Sequence, residues 1–226
     1  MSKKFYMVLD CETVTDARVP YDVAYIIVTR TGEVVERFNA LAAEIIDSPM
    51  GRYILAADGF AKRKAAFYLT ENAPAEVMPF EDIAAHVHDT ICAYDCTVIA
   101  YNAAFDVRVL NSYTQAVMGC DFFPVNTLVW DLWTMSLYTV CASRNYGEFC
   151  ELHQMRTDSG NIRTNAESVF AYLTNNADFT EEHTALADCE IEAEIFARVL
   201  NRKKKLHTDM CGYVGSREPW QKYCKR

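Results

Sequence analysis

The chain has 226 residues, of which 51% are hydrophobic, and a formal net charge of −9 at pH 7. This composition excludes an intrinsically disordered chain, and the length predicts one large domain with a sizeable core. The sequence has no apolar run of membrane-spanning length, and its nine scattered cysteines indicate reduced thiols, so we expect a cytoplasmic protein without a membrane partner.

The charge is unevenly distributed along the chain. Residues 202–226 carry eight basic side chains against Asp209 and Glu218, whereas the preceding residues are acidic. We therefore predict a domain at 1–201 and a basic C-terminal extension at 202–226. The extension fits either a segment that binds a polyanion or a solvated tail. An acidic body argues against wide nonspecific binding to phosphates, but it permits an enzyme that holds phosphate through metal ions.

The first predicted strand contains the first candidate site. The apolar run Phe5–Leu9 leads directly into Asp10 and Glu12. Because side chains alternate along a strand, the two carboxylates point to the same face and can bind one object together. The residues before them are apolar on both faces, which indicates a strand in the middle of a sheet. Taken alone, the pair fits either a solvated strand end or a site.

Two more strands are predicted immediately after the first. Residues 22–30 and 33–40 are joined by a turn at Gly32, and so short a connection requires antiparallel neighbours. The three strands form an antiparallel meander. The next segment, 42–79, is rich in Gly and Pro and yields one predicted helix, at 60–69.

Beyond residue 79 the pattern changes to alternating helices and strands. Apolar periodicity and capping residues predict a looser region at 143–163 and the following elements: helices at 80–94, 101–118, 132–140 and 164–173, a last helix through 188–199, and strands at 97–101 and 127–130. We expect Asp131 to cap the helix that follows it. These elements predict an α/β fold with a central mixed five-stranded sheet and helices on both faces.

An acid stands at the head of the buried stripe of two of these helices. Asp106 precedes Leu110, Tyr113 and Val117 at helical spacing, and burial of a charge is costly unless it is paired or ligates a metal. Asp106 therefore indicates either a cation site or a capping residue near the first helical turn.

Asp188 occupies the same position in the last helix, ahead of Ile191 and Ile195, and His183 lies five residues before it. A histidine near a helix start is usually a cap or a surface group. Beside a metal-activated water, an imidazole could instead accept and release a proton near neutral pH. Four acids, each at the edge of a buried element, thus accompany one histidine.

Three segments together resemble the exonuclease motifs of the DEDDh, or DnaQ-like, family, in the same order: Met7–Thr13, Tyr101–Asp106 and His183–Asp188. The family includes the epsilon proofreading subunit of bacterial replicative polymerases, RNase T and oligoribonuclease. The resemblance spans residues 5 to about 200. The sister subclass has a tyrosine where this chain has Thr184, so the histidine subclass is the better match. The chain departs from the family at Cys11 and at Val14-Thr15, where Thr and Thr-Gly are more usual.

The resemblance implies an RNase H-like fold and a 3′–5′ exonuclease. It implies two divalent ions, Mg²⁺ or Mn²⁺, held by Asp10, Glu12, Asp106 and Asp188, with Asp10 bridging both. His183 would be the general base. A two-metal site would neutralise the scissile phosphate, which reconciles the acidic body with a polyanionic substrate.

The resemblance also extends to the substrate. Thr13 and Val14 are expected to contact the terminal nucleotide, and Asn102 and Phe105 to line the strand channel. The alternatives are a core position for Phe105 and a turn-stabilising role for the Asn102 side chain. We favour single-stranded DNA, with an enzyme that is free-standing or proofreads for a DNA polymerase. The alternatives are a 3′–5′ exoribonuclease that acts on RNA and, in another class, a non-catalytic module that binds nucleic acid or a polymerase.

Overall fold

The structure, a computed structural model, describes residues 4–14, 18–57 and 75–202. The helix predicted at 60–69 and the basic extension after residue 202 lie outside the described residues. No helix within the described ranges is long and apolar enough to cross a membrane.

Among the described residues, the sheet has six strands in the order β4-β3-β2-β1-β5-β6. Their bounds are β1 Phe5–Val14, β2 Val19–Thr29, β3 Val34–Ala42, β4 Glu76–Met78, β5 Thr97–Ala100 and β6 Val129–Asp131. The antiparallel meander β1-β2-β3 and the two parallel strands beside β1 are confirmed. The sixth strand, β4, was not predicted. It pairs parallel to β3 over only three residues, within the segment whose Gly and Pro residues obscured any period.

Eight α-helices are described. They are α1 Ala43–Ile46, α2 Pro49–Ala57, α3 Phe80–Tyr94, α4 Ala104–Met118, α5 Leu132–Ser136, α6 Arg144–Leu152, α7 Ala166–Thr174 and α8 Ala185–Arg202, and a π-helical turn, Leu137–Cys141, continues α5.

Three helices were not predicted from the sequence: α1, α2 and α6. The prediction of a loose region at 143–163 was wrong at α6, which Ser143 caps by accepting a hydrogen bond from the Tyr146 N–H. Pro49, counted as a breaker, begins α2, because the first helical position needs no backbone donor. α4 ends at Gly119, which adopts the left-handed conformation with φ of 73°.

The sheet lies between two helical layers. One face of β1 and β2 packs against α5, α7 and α8, with Tyr6, Val8 and Phe196 in its core cluster. The other face packs against α3 and α4 and buries Met7 and Leu9. Consecutive residues of β1 thus enter different cores, as expected for a central strand.

Candidate active site

The candidate site lies at the edge of the sheet where three parallel strands end. β1 runs parallel to β5, and β5 runs parallel to β6. The register places Val8 beside Ile99 and Ala100 beside Asp131. Asp10, the turn after β5 and Asp131 therefore share this edge. The carboxyl ends of parallel strands are the usual location of sites in α/β sheets.

Asp10 and Glu12 lie on the same face of β1, as the alternation predicts. Tyr6 and Val8, on that face, belong to the core cluster beneath α8. Cys11 belongs to the cluster on the opposite face. The pairing of β1 with β2 stays regular through Glu12 and becomes irregular only after it, so the ladder holds both acids in fixed positions.

Asp188 approaches this pair from the first turn of α8. One oxygen from each of Asp10, Glu12 and Asp188 lies within 4.8 Å of the other two. A buried acid on β2 anchors the helix start, because the Ala185 N–H donates to Asp22 Oδ2 at 3.0 Å. Asp22 also pairs with Glu12 across the ladder. The three carboxylates form a set of hard oxygen ligands that suits a divalent cation.

Asp106 reaches the site from the other helical layer. It lies in the first turn of α4 and is 2% exposed. Its Oδ1 accepts hydrogen bonds from the Cys11 backbone N–H at 3.2 Å and from the Cys11 thiol at 3.4 Å. Burial raises the pKa of Asp106 to about 7, although these hydrogen bonds act in the opposite direction. Among the described residues, Asp106 is not part of the 4.8 Å group. It is still close enough for its charge to raise the pKa of Asp10.

The electrostatic environment of Asp10 is one-sided. Burial raises the pKa of Asp10 well above its usual range, and the charges of four further carboxylates raise it again: Asp106, Glu192, Glu12 and Asp188. All five causes favour the neutral form of Asp10. A bound cation would reverse this preference, because it stabilises the ionised form.

His183 stands just before α8 in the left-handed region, with φ of 57°. Such a conformation is uncommon for a residue with a side chain. His183, Glu181 and Asp188 form a second group whose ligand atoms lie within 4.8 Å of one another. His183 Nδ1 is 3.7 Å from Glu181 Oε2, and the histidine side chain is 40% exposed. The histidine is therefore beside the acids and open to solvent.

Glu181 is one of two acids near the site that the sequence analysis missed. Its side chain is 11% exposed. Burial raises its pKa to about 7, and the charge of Glu167 adds to the shift. No sequence pattern marked it, because it lies in an irregular segment among other acidic residues.

Glu192 is the second acid that was missed. It is 3% exposed and lies one turn after Asp188 on α8. Its Oε2 accepts a hydrogen bond from the Tyr101 N–H at 3.2 Å. Burial, followed by the charges of Asp106 and Asp188, raises the pKa of Glu192. Its position four residues after Asp188, within the apolar stripe, was a usable signal, since a charge on a buried face requires a reason.

The prediction that Asp131 caps a helix is confirmed. Its Oδ1 accepts from the Trp133 N–H at 3.1 Å, at the start of α5. The same oxygen accepts from the Asn102 N–H at 3.0 Å and the Ala103 N–H at 3.4 Å. Together, Asp131 and Glu192 hold three consecutive backbone N–H groups in the turn that leads to Asp106.

The four residues expected to contact substrate have different surroundings. Thr13 is partly buried, and Val14 is 2% exposed in a small third cluster. Phe105 is partly buried against the α4 side of the core. Asn102 is exposed, and its φ of 63° places it in a tight turn. Asn102 is therefore the most accessible of the four.

Comparisons with known proteins relate this chain to solved structures. No protein-family model matches the sequence, and no curated protein matches it. Solved structures do match. One structure of exonuclease I, described as suggesting how processivity is achieved, superimposes with a TM-score of 0.63 at 16% identity over 89% of this chain.

Two complexes of E. coli exonuclease I agree with this match. One contains a dA16 oligonucleotide (TM-score 0.60, 18% identity), and the other is the zinc-bound form of a complex with single-stranded DNA (TM-score 0.59, 16% identity); each covers 89% of this chain. The matched region is 41–42% of the exonuclease I chain, so this chain spans less than half of that protein. The chain has the α/β, RNase H-like fold of exonuclease I.

Proposed function

We propose that this chain is a divalent-metal-dependent 3′–5′ exonuclease that acts on single-stranded DNA. One observation carries the proposal: oxygens of Asp10, Glu12 and Asp188 lie within 4.8 Å of one another at the carboxyl edge of the sheet. Asp106 and His183 adjoin this group from α4 and from the segment before α8. The likeness to exonuclease I, which is known in complex with DNA oligonucleotides, supports the choice of single-stranded DNA.

The acids fit divalent cations. Asp10, Glu12 and Asp188 would hold one ion, and Asp106 together with Asp10 would hold a second. Carboxylates that raise one another's pKa repel one another when ionised, and a divalent cation relieves this repulsion. When bound, Mg²⁺ or Mn²⁺ stabilises the charge that develops on the phosphodiester and makes water easier to deprotonate.

His183 is proposed as the general base. Its imidazole takes the proton of the attacking water, and the positive charge that results forms 3.7 Å from the Glu181 carboxylate. Attack on the terminal phosphodiester breaks the P–O3′ bond and releases a nucleoside 5′-monophosphate, while the leaving O3′ of the shortened strand takes a proton from solvent water. The exposure of His183 allows it to return the proton to solvent.

Digestion of 5′-labelled single-stranded DNA and RNA tests the proposal, with Mg²⁺, Mn²⁺ or a chelator. We expect DNA to shorten from its 3′ end only when metal is present. His183→Ala should lower the rate about 10³-fold, as is typical for loss of a general base. The matched control is His153→Ala, which changes the exposed histidine just after α6 and should digest normally.

Other outcomes would identify the alternatives. Preferential digestion of RNA would show that RNA, and not DNA, is the substrate, while the proposed mechanism would stay the same. Binding of single strands without digestion in any metal would indicate a non-catalytic module, and a pull-down with polymerase subunits would then test a polymerase partner. Retention of the full rate by Asp10→Ala would refute the proposed site.

We further propose that residues 1–201 form the catalytic domain and that the basic extension after residue 202 contributes to strand binding. Removal of residues 203–226 should weaken DNA binding and reduce its salt dependence, because fewer cations would contact phosphates. Unchanged affinity at two salt concentrations would leave the extension without this role.

A further inference from the structure

A cavity of about 440 Å³ opens beside the candidate active site. Its volume falls in the range of small-molecule sites, roughly 300–1,000 Å³. Two aromatic residues and five polar ones line it: Tyr101, Trp133, Asn102, Thr157, Arg163, Thr164 and Asn165. Among the described residues of this lining there is no carboxylate, although the acid site is adjacent. The cavity thus differs in chemistry from the site next to it.

The aromatic side chains of the cavity are fixed by one residue. The Thr164 carbonyl accepts a hydrogen bond from the Tyr101 hydroxyl at 2.5 Å. The Thr164 hydroxyl accepts one from Trp133 Nε1 at 3.0 Å. Because both polar tips are already bonded, the rings are held in place, and their faces can make only apolar or stacking contacts. Rings held in this way stack on a ligand with little loss of side-chain entropy.

The turn after β5 connects the cavity to the acid site. Tyr101 lines the cavity, while its backbone N–H donates to Glu192, which faces Asp106 and Asp188. Asn102 lines the cavity as well and precedes Asp106 by one helical turn. A strand whose phosphate is held at the acids would therefore pass the opening of the cavity.

The polar residues around the rings suit a nucleobase. Asn165 uses its side-chain oxygen to cap α7, so it can offer its NH₂ group as a donor. Asn102 is exposed and carries both a donor and an acceptor, which can bond the edge of a base. Arg163 is an exposed cation in the lining, suited to a phosphate or to the face of a base.

We propose that this cavity binds one nucleobase of the single-stranded substrate, stacked against Trp133 beside Tyr101, upstream of the scissile phosphate. The inference rests on the proposed function and deepens it, because it assigns a base-binding subsite to that same site. Stacking on aromatic rings tolerates any base, since every base has a π face. The subsite therefore predicts recognition of unpaired strands without strong sequence preference.

The test measures binding without turnover, by fluorescence anisotropy of a 5′-labelled oligothymidylate on the full chain carrying Asp10→Asn. A series of oligonucleotides replaces one position at a time with an abasic sugar. We expect the abasic sugar to lower the affinity of the oligonucleotide about tenfold at one position, counted from the 3′ end, because one stacking contact is lost there. Trp133→Leu should weaken binding of the intact strand about tenfold, and in this variant an abasic sugar at that position should cause no further loss of affinity.

Two variants serve as controls for packing and charge. Trp133→Phe keeps a ring, so it should bind within about twofold of the parent and keep the abasic penalty. Arg144→Ala removes an exposed arginine elsewhere on the surface and should change nothing, whereas Arg163→Ala should weaken binding. A purely structural role of Trp133 would lower affinity without changing the abasic pattern.

Several results would overturn the subsite. A flat abasic series, or a penalty that persists in Trp133→Leu, would do so. Binding of thymidine 5′-monophosphate as tight as that of the strand, with a flat series, would replace the subsite with a site for free nucleotides. The proposed function is tested separately, by digestion with the unmodified chain. If the chain digests DNA but no abasic position loses affinity, only the subsite is refuted. If the abasic penalty disappears in Trp133→Leu but the chain does not digest DNA, only the proposed activity is refuted.

Discussion

The carboxyl ends of β1 and β6 each present an acid at the same edge of the sheet, and the two acids have opposite surroundings. Asp131, at the end of β6, is surrounded by donors: its oxygens accept hydrogen bonds from three backbone N–H groups and the Thr134 hydroxyl. Asp10, near the end of β1, has four other carboxylates as its charged neighbours.

Burial raises the pKa of both acids, but the other causes differ in sign. For Asp131, every hydrogen bond lowers the pKa and opposes burial. For Asp10, every neighbouring charge adds to burial. A buried acid that receives hydrogen bonds stabilises the fold, whereas acids that face one another cost stability until a cation binds. This contrast distinguishes the capping acid from the acids of the candidate site, and it can be tested in four ways.

The largest expected effect is on catalysis at β1. Asp10→Asn should lower the rate of strand digestion on the order of 10⁴-fold, equivalent to about 5.4 kcal/mol of transition-state stabilisation. Without metal, its thermal unfolding temperature should be unchanged or higher, because a repulsive charge is removed. Asp82→Asn, an exposed acid on α3, is the matched control. A large loss of stability of Asp10→Asn in the absence of metal would contradict the view that the Asp10 charge costs stability until a cation binds.

The second effect is on stability at β6. Asp131→Ala should destabilise the fold by about 3 kcal/mol, because a helix cap is lost and buried donors lose their acceptor. Urea unfolding measures the change. Asp131→Asn retains one acceptor oxygen and should lose less. Equal stability of Asp131→Ala and the parent chain would show that these hydrogen bonds contribute nothing.

The third effect is on pH dependence in the absence of metal. The folded-state pKa of Asp106 is raised to about 7 from an ordinary 3.8, so the native state retains a proton that the unfolded state releases. Stability from this group is present at low pH and is lost as pH rises toward 7. Relative to the parent, Asp106→Asn should gain up to about 2 kcal/mol between pH 5 and pH 7. Urea unfolding in chelator at both pH values measures this gain, and no gain would contradict the raised pKa.

The smallest effect concerns Glu192. Glu192→Gln keeps an acceptor for the Tyr101 N–H but removes one of the charges around Asp10, so Mg²⁺ should bind about tenfold more weakly. Calorimetric titration with Mg²⁺ measures the affinity. Glu190→Gln is the control on the same helix, because Glu190 is 56% exposed and pairs with Arg37. Equal Mg²⁺ affinity in the two variants would place Glu192 outside the metal site.

The prediction of the fold succeeded where the local pattern was strong. The apolar runs of β1, β2 and β5 and the last helix lie where the sequence placed them, because each buries a face with a clear period. The missed elements are short or amphipathic over few residues: β4, α1, α2 and α6. β4 is held by pairing with β3, which no local pattern contains.

The sequence singled out some of the acids of the candidate site and missed others. The acids at Asp10, Glu12 and Asp188 meet within 4.8 Å, and the motifs had already singled them out. Glu181 and Glu192 were not singled out, because their importance depends on the residues that face them. Val117, assigned to the buried stripe of α4, is 53% exposed, since that stripe turns away from the sheet near the helix end.

The sequence by itself therefore determined which side chains share a face, because the repeats of 2 and 3.6 residues are properties of the backbone alone. That was enough to place Asp10 with Glu12 and to put an acid at the head of each of two helices. Only the tertiary structure decided that α4 and α8 approach the end of β1 from opposite layers. It also decided that Asp131 receives hydrogen bonds while Asp10 faces other acids, since the environment of a buried charge is set by segments distant in sequence.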